Sequence, residues 1–202
     1  MFICFRKIIF TLGELLKKHH IHLLQIGEFK LDFFEDLKNH LIRVFPGVWC
    51  TSSIYDRSFL EGSYNPARKQ YYSTLLLKKI EGISSEVRAD RFLAVVDVDL
   101  YVPRLNFVFG EAQCPGRFAI ISIFRLKPEF YGLDKNQELF ISRVKKEAVH
   151  ELGHTLGLLH CENPLCVMYF SNSIYDTDNK RDDFCLKCKD KVLKALNHDL
   201  YV

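Results

Sequence analysis

The stretch His150-Glu151-Leu152-Gly153-His154-Thr155-Leu156-Gly157-Leu158-Leu159-His160 combines three imidazoles and a carboxylate at spacings that suit a metal ion and a proton acceptor. On a helix, residues four apart share a face, so His150 and His154 can point at one ion. Glu151 follows the first of them and can stand beside the ion without binding it, placed to take a proton from a water that the ion activates. Gly157 lets the chain leave the helix with positive φ, and that reversal returns His160 as a third ligand. Three protein ligands leave the fourth tetrahedral position to water, the arrangement of a catalytic zinc rather than a structural one. The bland alternative, an amphipathic helix with surface histidines, does not require five matched positions.

Four cysteines follow at metal-binding intervals. Cys161 and Cys166 form a C-x4-C pair, and Cys185 and Cys188 a C-x2-C pair. Two such knuckles fit a four-thiolate zinc site that is coordinatively closed and staples the chain beyond the histidines. Two disulfides or free core thiols would use the same residues; disulfides need an oxidising compartment, and nothing in the chain suggests export.

The histidine motif with Met168 downstream resembles the metzincin clan of zinc peptidases, and its fusion to Cys161, Cys166, Met168, Cys185 and Cys188 resembles the archaemetzincins in particular. The segments Tyr64-Asn65-Pro66-Ala67-Arg68-Lys69-Gln70-Tyr71, Asn106-Phe107-Val108-Phe109-Gly110-Glu111-Ala112 and Lys146-Glu147-Ala148-Val149 are similar to that family as well. The resemblance implies a peptide-bond hydrolase with two Zn2+ ions, one catalytic on His150, His154 and His160, the other structural on the four cysteines. It implies Glu151 as proton acceptor, Met168 as an apolar floor beneath the imidazoles, and a peptide or protein as substrate. Sixteen residues separate Met168 from Cys185, one fewer than the family pattern, a difference that a loop absorbs. Some metzincins carry an oxyanion-stabilising tyrosine two residues after the methionine. Phe170 holds that place here and Tyr169 comes one early, so that role is not carried over; Asn172 and Tyr175 are the candidates in the same loop.

These groups need a scaffold, and the chain reads as α/β. Residues 21–26 are a short apolar strand candidate; residues 31–45 recur at helical spacing and stop at Pro46-Gly47; Val48 to Thr51 reads as a second strand. Asn65-Pro66 is expected to open a helix running to about Ile80. Residues 92–98, 106–112 and 118–125 read as strands, the last two joined by the Cys114-Pro115-Gly116 turn as a hairpin. Asp134 and Gln137 are expected to cap the long helix that carries the histidines and ends at Gly157. The result is a twisted mixed sheet, mainly parallel, with an antiparallel edge strand. The edge role falls to residues 106–112, whose free backbone groups could pair with an extended peptide over the metal. A small zinc-stapled C-terminal lobe, residues 158–202, follows an N-terminal lobe, residues 1–157, within one domain.

Composition agrees and excludes little. At 202 residues, 48% hydrophobic, the chain can bury a sizeable core. A net charge of +3, with 28 basic residues scattered among 25 acidic ones, gives no support to nucleic-acid binding. The first twelve residues are apolar but interrupted by Arg6 and Lys7, which reads as an extra strand or helix rather than a signal peptide or membrane anchor. Cys4, Cys50 and Cys114 are expected as reduced thiols, and the chain as a cytoplasmic monomer. His19, His20 and His22 are expected at an exposed helix end, Glu162-Asn163-Pro164 and Asp176 to Asn179 in turns, and Asp97 and Asp99 as solvent-facing or sheet-top groups. Two other functions use the same residues: a non-catalytic zinc module that recruits a partner, against which Glu151 argues, and a zinc hydrolase of a non-peptide amide.

Overall fold

Phe92 to Val96 is a continuous apolar run with no polar alternation, and such a run suits a strand covered on both faces. The computed structural model, which describes residues 19–29 and 33–198, places it at the centre of a five-stranded sheet. The strands are β1 (His19–Ile26), β2 (Val48–Tyr55), β5 (Arg91–Val96), β7 (Gly110–Ala112) and β8 (Phe118–Ser122), in the order β2-β1-β5-β8-β7. All neighbours are parallel except β7, which runs antiparallel to β8 at the edge. A second sheet joins β3 (Tyr64–Asn65), β4 (Gln70–Tyr72) and β6 (Leu100–Tyr101), and a bridge from Leu100 to Val108 ties it to the approach to β7.

Alternate residues of the central strands divide the core in two. Leu23, Leu93, Val95, Ala119 and Ile121 pack beneath helix α1 (Phe34–Val44) and the long helix α3 (Gln137–Thr155). Leu24, Phe92, Ala94 and Ile120 face α2 (Ser73–Ile83) on the other side, against Leu76 and Ile80. The chain beyond the histidines adds α4 (Ile174–Asn179) and α5 (Leu186–His198), and Met168, Phe184, Val192 and Leu196 join the core under α1 and α3. The mainly parallel sheet with an antiparallel edge is the expected architecture.

Several elements differ from expectation. No helix starts at Asn65-Pro66: Asn65 Oδ1 accepts the backbone N–H groups of Ala67 and Arg68, closing a turn, and α2 begins only at Ser73. Asn136, not Asp134, caps α3; its Oδ1 accepts the N–H of Leu139 at 3.0 Å, and Gln137 is the first helical residue. The edge strand is shorter than expected, since residues 106–109 form a loop, and β8 stops at Ser122, where the chain enters a 3-10 turn. Asp176 to Asn179 lie in a helix rather than a turn, started by a capping box between Ser173 and Asp176. His19, His20 and His22 are buried residues of β1, not an exposed helix end. Asp97 and Asp99 stand just past β5 as sheet-top groups, paired with Lys127 and Arg125. The element expected within residues 1–12, with Cys4, lies outside the described residues.

Candidate metal centres

Helix α3 presents His150, Glu151 and His154 at its C-terminal end, and the way it stops brings in His160. Gly157 adopts φ 82°. Its N–H donates to His154 O at 2.8 Å, and the N–H of Leu158 donates to Gly153 O at 3.2 Å, the paired bonds of a Schellman ending. The chain turns back and sets the His160 ring 5.4 Å from that of His150 and 4.9 Å from that of His154. The expected three-histidine group therefore forms, with its ligand-capable atoms within 4.8 Å of one another.

The ring hydrogens test whether this group suits a metal. His150 Nδ1 lies 2.8 Å from Val167 O, and His154 Nδ1 2.7 Å from Leu158 O. A carbonyl only accepts, so both Nδ1 atoms carry the hydrogen, and the Nε2 atoms of the neutral rings are bare lone pairs. Those lone pairs face each other at 3.1 Å. Burial holds both rings below the ordinary histidine range, that of His150 well below, which favours the neutral form. Two bare acceptors in contact are repulsive unless a cation lies between them. Nitrogen ligands about 2.05 Å from a tetrahedral zinc stand about 3.3 Å apart, so the gap fits.

The cysteines pass a similar test. Cys161, Cys166, Cys185 and Cys188 converge, and Cys161 Sγ lies 3.8 Å from Cys185 Sγ. That is far beyond a disulfide, and sulfurs about 2.3 Å from a tetrahedral zinc stand about 3.8 Å apart. All four are free thiols. The two groups are fastened together: the Cys161 N–H donates to Met168 O at 2.9 Å. Met168 is completely buried, and a β-carbon on Gly153 would come within 2.5 Å of its Sδ, so the methionine packs directly against the histidine helix.

Glu151 is 5% exposed and lies where the edge strand crosses α3. Burial, then the carboxylates of Glu147 and Glu111, push it well above the usual carboxylate range, with Lys180 opposing. Sequence reasoning missed these neighbours. Glu147, one helical turn earlier, is buried beside Lys180 Nζ at 3.1 Å and accepts the Thr177 hydroxyl at 3.0 Å. Glu111 on β7 accepts the hydroxyls of Ser73 and Thr74. A Glu four positions before Glu151, on the histidine face, was the available signal for Glu147; nothing marks Lys180, 33 residues beyond it.

Above these groups runs a cleft of about 750 Å³ that includes His150, Glu151, His154, His160, Gly110 and Ala112. Phe170 packs on the His160 ring at 4.8 Å and lines it. Asn172 also lines the cleft, whereas Tyr175 is 80% exposed on α4 and is not part of the lining. Cys114 is an exposed cleft residue, and Cys50 is partly buried, its thiol pushed up to about 12 by burial.

The model of peptidase family M54 matches residues 46–194, which hold both centres and the scaffold from β2 onward but not β1 or α1. The chain belongs to peptidase family M54. Among its relatives, the archaemetzincin of Methanocaldococcus jannaschii is 51% identical over 130 residues, 64% of this chain and 70% of that one. The archaemetzincin of Pyrococcus abyssi is 41% identical over 183 residues, 87% of this chain and 95% of that one. The crystal structure of archaemetzincin from Methanopyrus kandleri superposes with a TM-score of 0.78 at 35% identity, covering 89% of this chain and 97% of that one. The M54 chain is thus a zinc metallopeptidase of the archaemetzincin type, with one three-histidine and one four-cysteine group able to hold metal.

Proposed function

We propose that His150, His154 and His160 hold the catalytic zinc, that Cys161, Cys166, Cys185 and Cys188 hold the structural one, and that Glu151 is the general base. The facing Nε2 lone pairs of His150 and His154 carry the first assignment, and the thiol spacing the second. Zinc bound there supplies Lewis acidity toward a substrate carbonyl and lowers the pKa of water toward about 7. Glu151, raised by burial, accepts the proton of the attacking water and returns it to the departing amine nitrogen. Asn172, which lines the cleft, is the candidate donor to the developing oxyanion.

The substrate is read as an extended peptide lying along β7. Phe109 O accepts from Ser122 N, and Gln113 N donates to Phe118 O, so odd-numbered residues turn their backbone toward β8. Gly110 and Ala112 therefore turn theirs outward, into the cleft. Main-chain pairing there would seat the scissile bond with little dependence on substrate side chains.

The chain is further read as two lobes, 1–157 and 158–202, of one domain, and as a cytoplasmic monomer that binds no nucleic acid. A four-thiolate site is kept reduced in the cytoplasm, all seven proposed ligands come from one chain, and the net charge is only +3. No described helix is long and apolar enough to cross a membrane.

Digestion of a peptide library by wild type and Glu151→Gln, read by mass spectrometry, tests the assignment. Loss of the base is expected to lower cleavage by about a hundredfold or more, while native mass spectrometry finds two zinc ions in both proteins. Equal cleavage would remove Glu151 from its role, and one ion per chain would remove a centre.

A further inference from the structure

The segment containing Arg68 and Gln70 holds no metal ligand and lines no part of the cleft, yet it reaches the cleft's rim through its hydrogen bonds. Residues 102–107 form that rim, and Leu105, Asn106 and Phe107 line the cleft just before the chain enters β7. The rim has little backbone support of its own. The carbonyls of Leu105 and Asn106 are instead held by side chains. Arg68 Nη2 donates to Leu105 O at 2.7 Å and Asn106 O at 3.0 Å. Gln70 Nε2 donates to the same Asn106 O at 2.9 Å and to Asp99 Oδ2 at 3.1 Å. Arg125 grips Asp99 through both carboxylate oxygens and lays its guanidinium 4.2 Å from the Phe107 ring centroid.

The bracket is rigid by construction. Arg68 Nε donates to Gln70 Oε1 at 2.9 Å, which orients the amide, and the Arg68 guanidinium sits 4.5 Å over Tyr101. Asn65, whose side chain closes the turn ahead of Arg68, also donates to the Tyr101 hydroxyl at 3.2 Å. Planar guanidinium and amide groups thus fix two carbonyls from outside the sheet, and Val108 N then donates to Leu100 O at 3.0 Å. Two residues later comes Gly110, in contact with Glu151.

We propose that Arg68, Gln70 and Arg125 are positioning residues for the substrate: they hold the rim so that the outward backbone of Gly110 and Ala112 is preset to pair with a peptide. This rests on the reading that the substrate lies along β7. It assigns a task to the Tyr64–Tyr71 and Asn106–Ala112 sequence segments, one being the clamp and the other the part clamped.

Arg68 is the residue to change, because it is exposed and its removal opens no hole in the core. Two probes separate the outcomes: acetohydroxamate, which grips only the metal, and a peptidyl hydroxamate, which also extends along the edge strand. For zinc-loaded Arg68→Ala, affinity for the peptidyl probe is expected to fall about tenfold with that for acetohydroxamate unchanged. Hydrogen exchange should speed up across residues 102–112 without a change in the thermal midpoint. Arg68→Lys should recover only part of the affinity, since one ammonium cannot span both carbonyls and Gln70. If wild type prefers the peptidyl probe and Arg68→Ala prefers it equally, with unaltered exchange, the bracket is overturned while the edge-strand reading stands. If wild type shows no preference, the edge-strand reading fails and takes the bracket with it.

Discussion

A β-carbon built on Gly110 would lie 2.6 Å from both Cγ and Oε1 of Glu151 and 2.7 Å from Ile120 O. None of these can be accommodated by moving a loose chain end, because Glu151 is buried and Ile120 O belongs to the sheet. The proposed base is therefore placed from two sides, by its own helix and by a strand that comes close only because it carries a glycine there. Gly110→Ala should push the carboxylate off its line to the attacking water and lower turnover by at least about tenfold, roughly 1.4 kcal/mol of barrier. Zinc content should stay at two ions per chain, since no proposed ligand touches the new methyl. Gly82→Ala is the matching control, because a β-carbon there meets nothing within 4 Å. A Gly110→Ala protein with wild-type peptide turnover would show that the close approach does not position the base.

The exit of α3 is where an element, rather than a residue, builds the centre. The turn that carries His160 depends on the φ of 82° at Gly157, and an added β-carbon there would meet only Pro115 Cβ at an ordinary 3.6 Å. Any cost of Gly157→Ala is thus backbone strain, about 1–2 kcal/mol. Urea unfolding should register that loss, and chelator competition should strip the histidine-bound zinc more readily than from wild type; unchanged values for both would separate the turn from the ligand set. This glycine was legible in the sequence, as was the convergence of the three histidines and of the four cysteines, because helix periodicity and knuckle spacing are local. The central strands were legible for the same reason. What escaped was settled by contacts between distant segments. Asn65-Pro66 has the local chemistry of a helix start, but pairing of Tyr71 and Tyr72 with Leu100 and Tyr101 keeps the chain extended as far as Ser73. His20 and His22 looked exposed, yet their rings share the Thr51 hydroxyl at 2.7 and 2.6 Å from the neighbouring strand, which makes burial tolerable. Lys180 gave no signal, since its partner Glu147 lies on another element.

At the scale of the molecule, the cysteine-bearing segment is joined to the sheet layers by a shared core and by one buried histidine. His40 on α1 is 3% exposed; its Nε2 donates to Asp182 O at 3.0 Å, and its Nδ1 accepts from Arg43 Nη2 at 2.7 Å. Those partners require the neutral tautomer with hydrogen on Nε2. Burial is the largest influence and lowers its pKa below the ordinary histidine value of about 6.5; Asp182 pulls upward without prevailing, and Arg43 and Lys145 add to the lowering. The sign follows by linkage. The unfolded chain takes up a proton near pH 6.5 while the native chain resists until lower pH, so the stabilisation from His40 is intact above 6.5 and is lost as pH falls through the native value. Metal binding by histidine and cysteine ligands is itself pH-dependent, so wild type alone cannot isolate this contribution. His40→Gln can, because an amide can still donate to Asp182 O and accept from Arg43 but binds no proton. The difference in unfolding free energy between wild type and His40→Gln, measured in urea with both zinc sites loaded, should favour wild type less as pH drops below 6.5. The slope should not exceed about 1.4 kcal/mol per pH unit, the limit for one proton. A difference that stays flat from pH 7.5 to about 5 would mean that His40 does not sense protons where α1 meets Asp182.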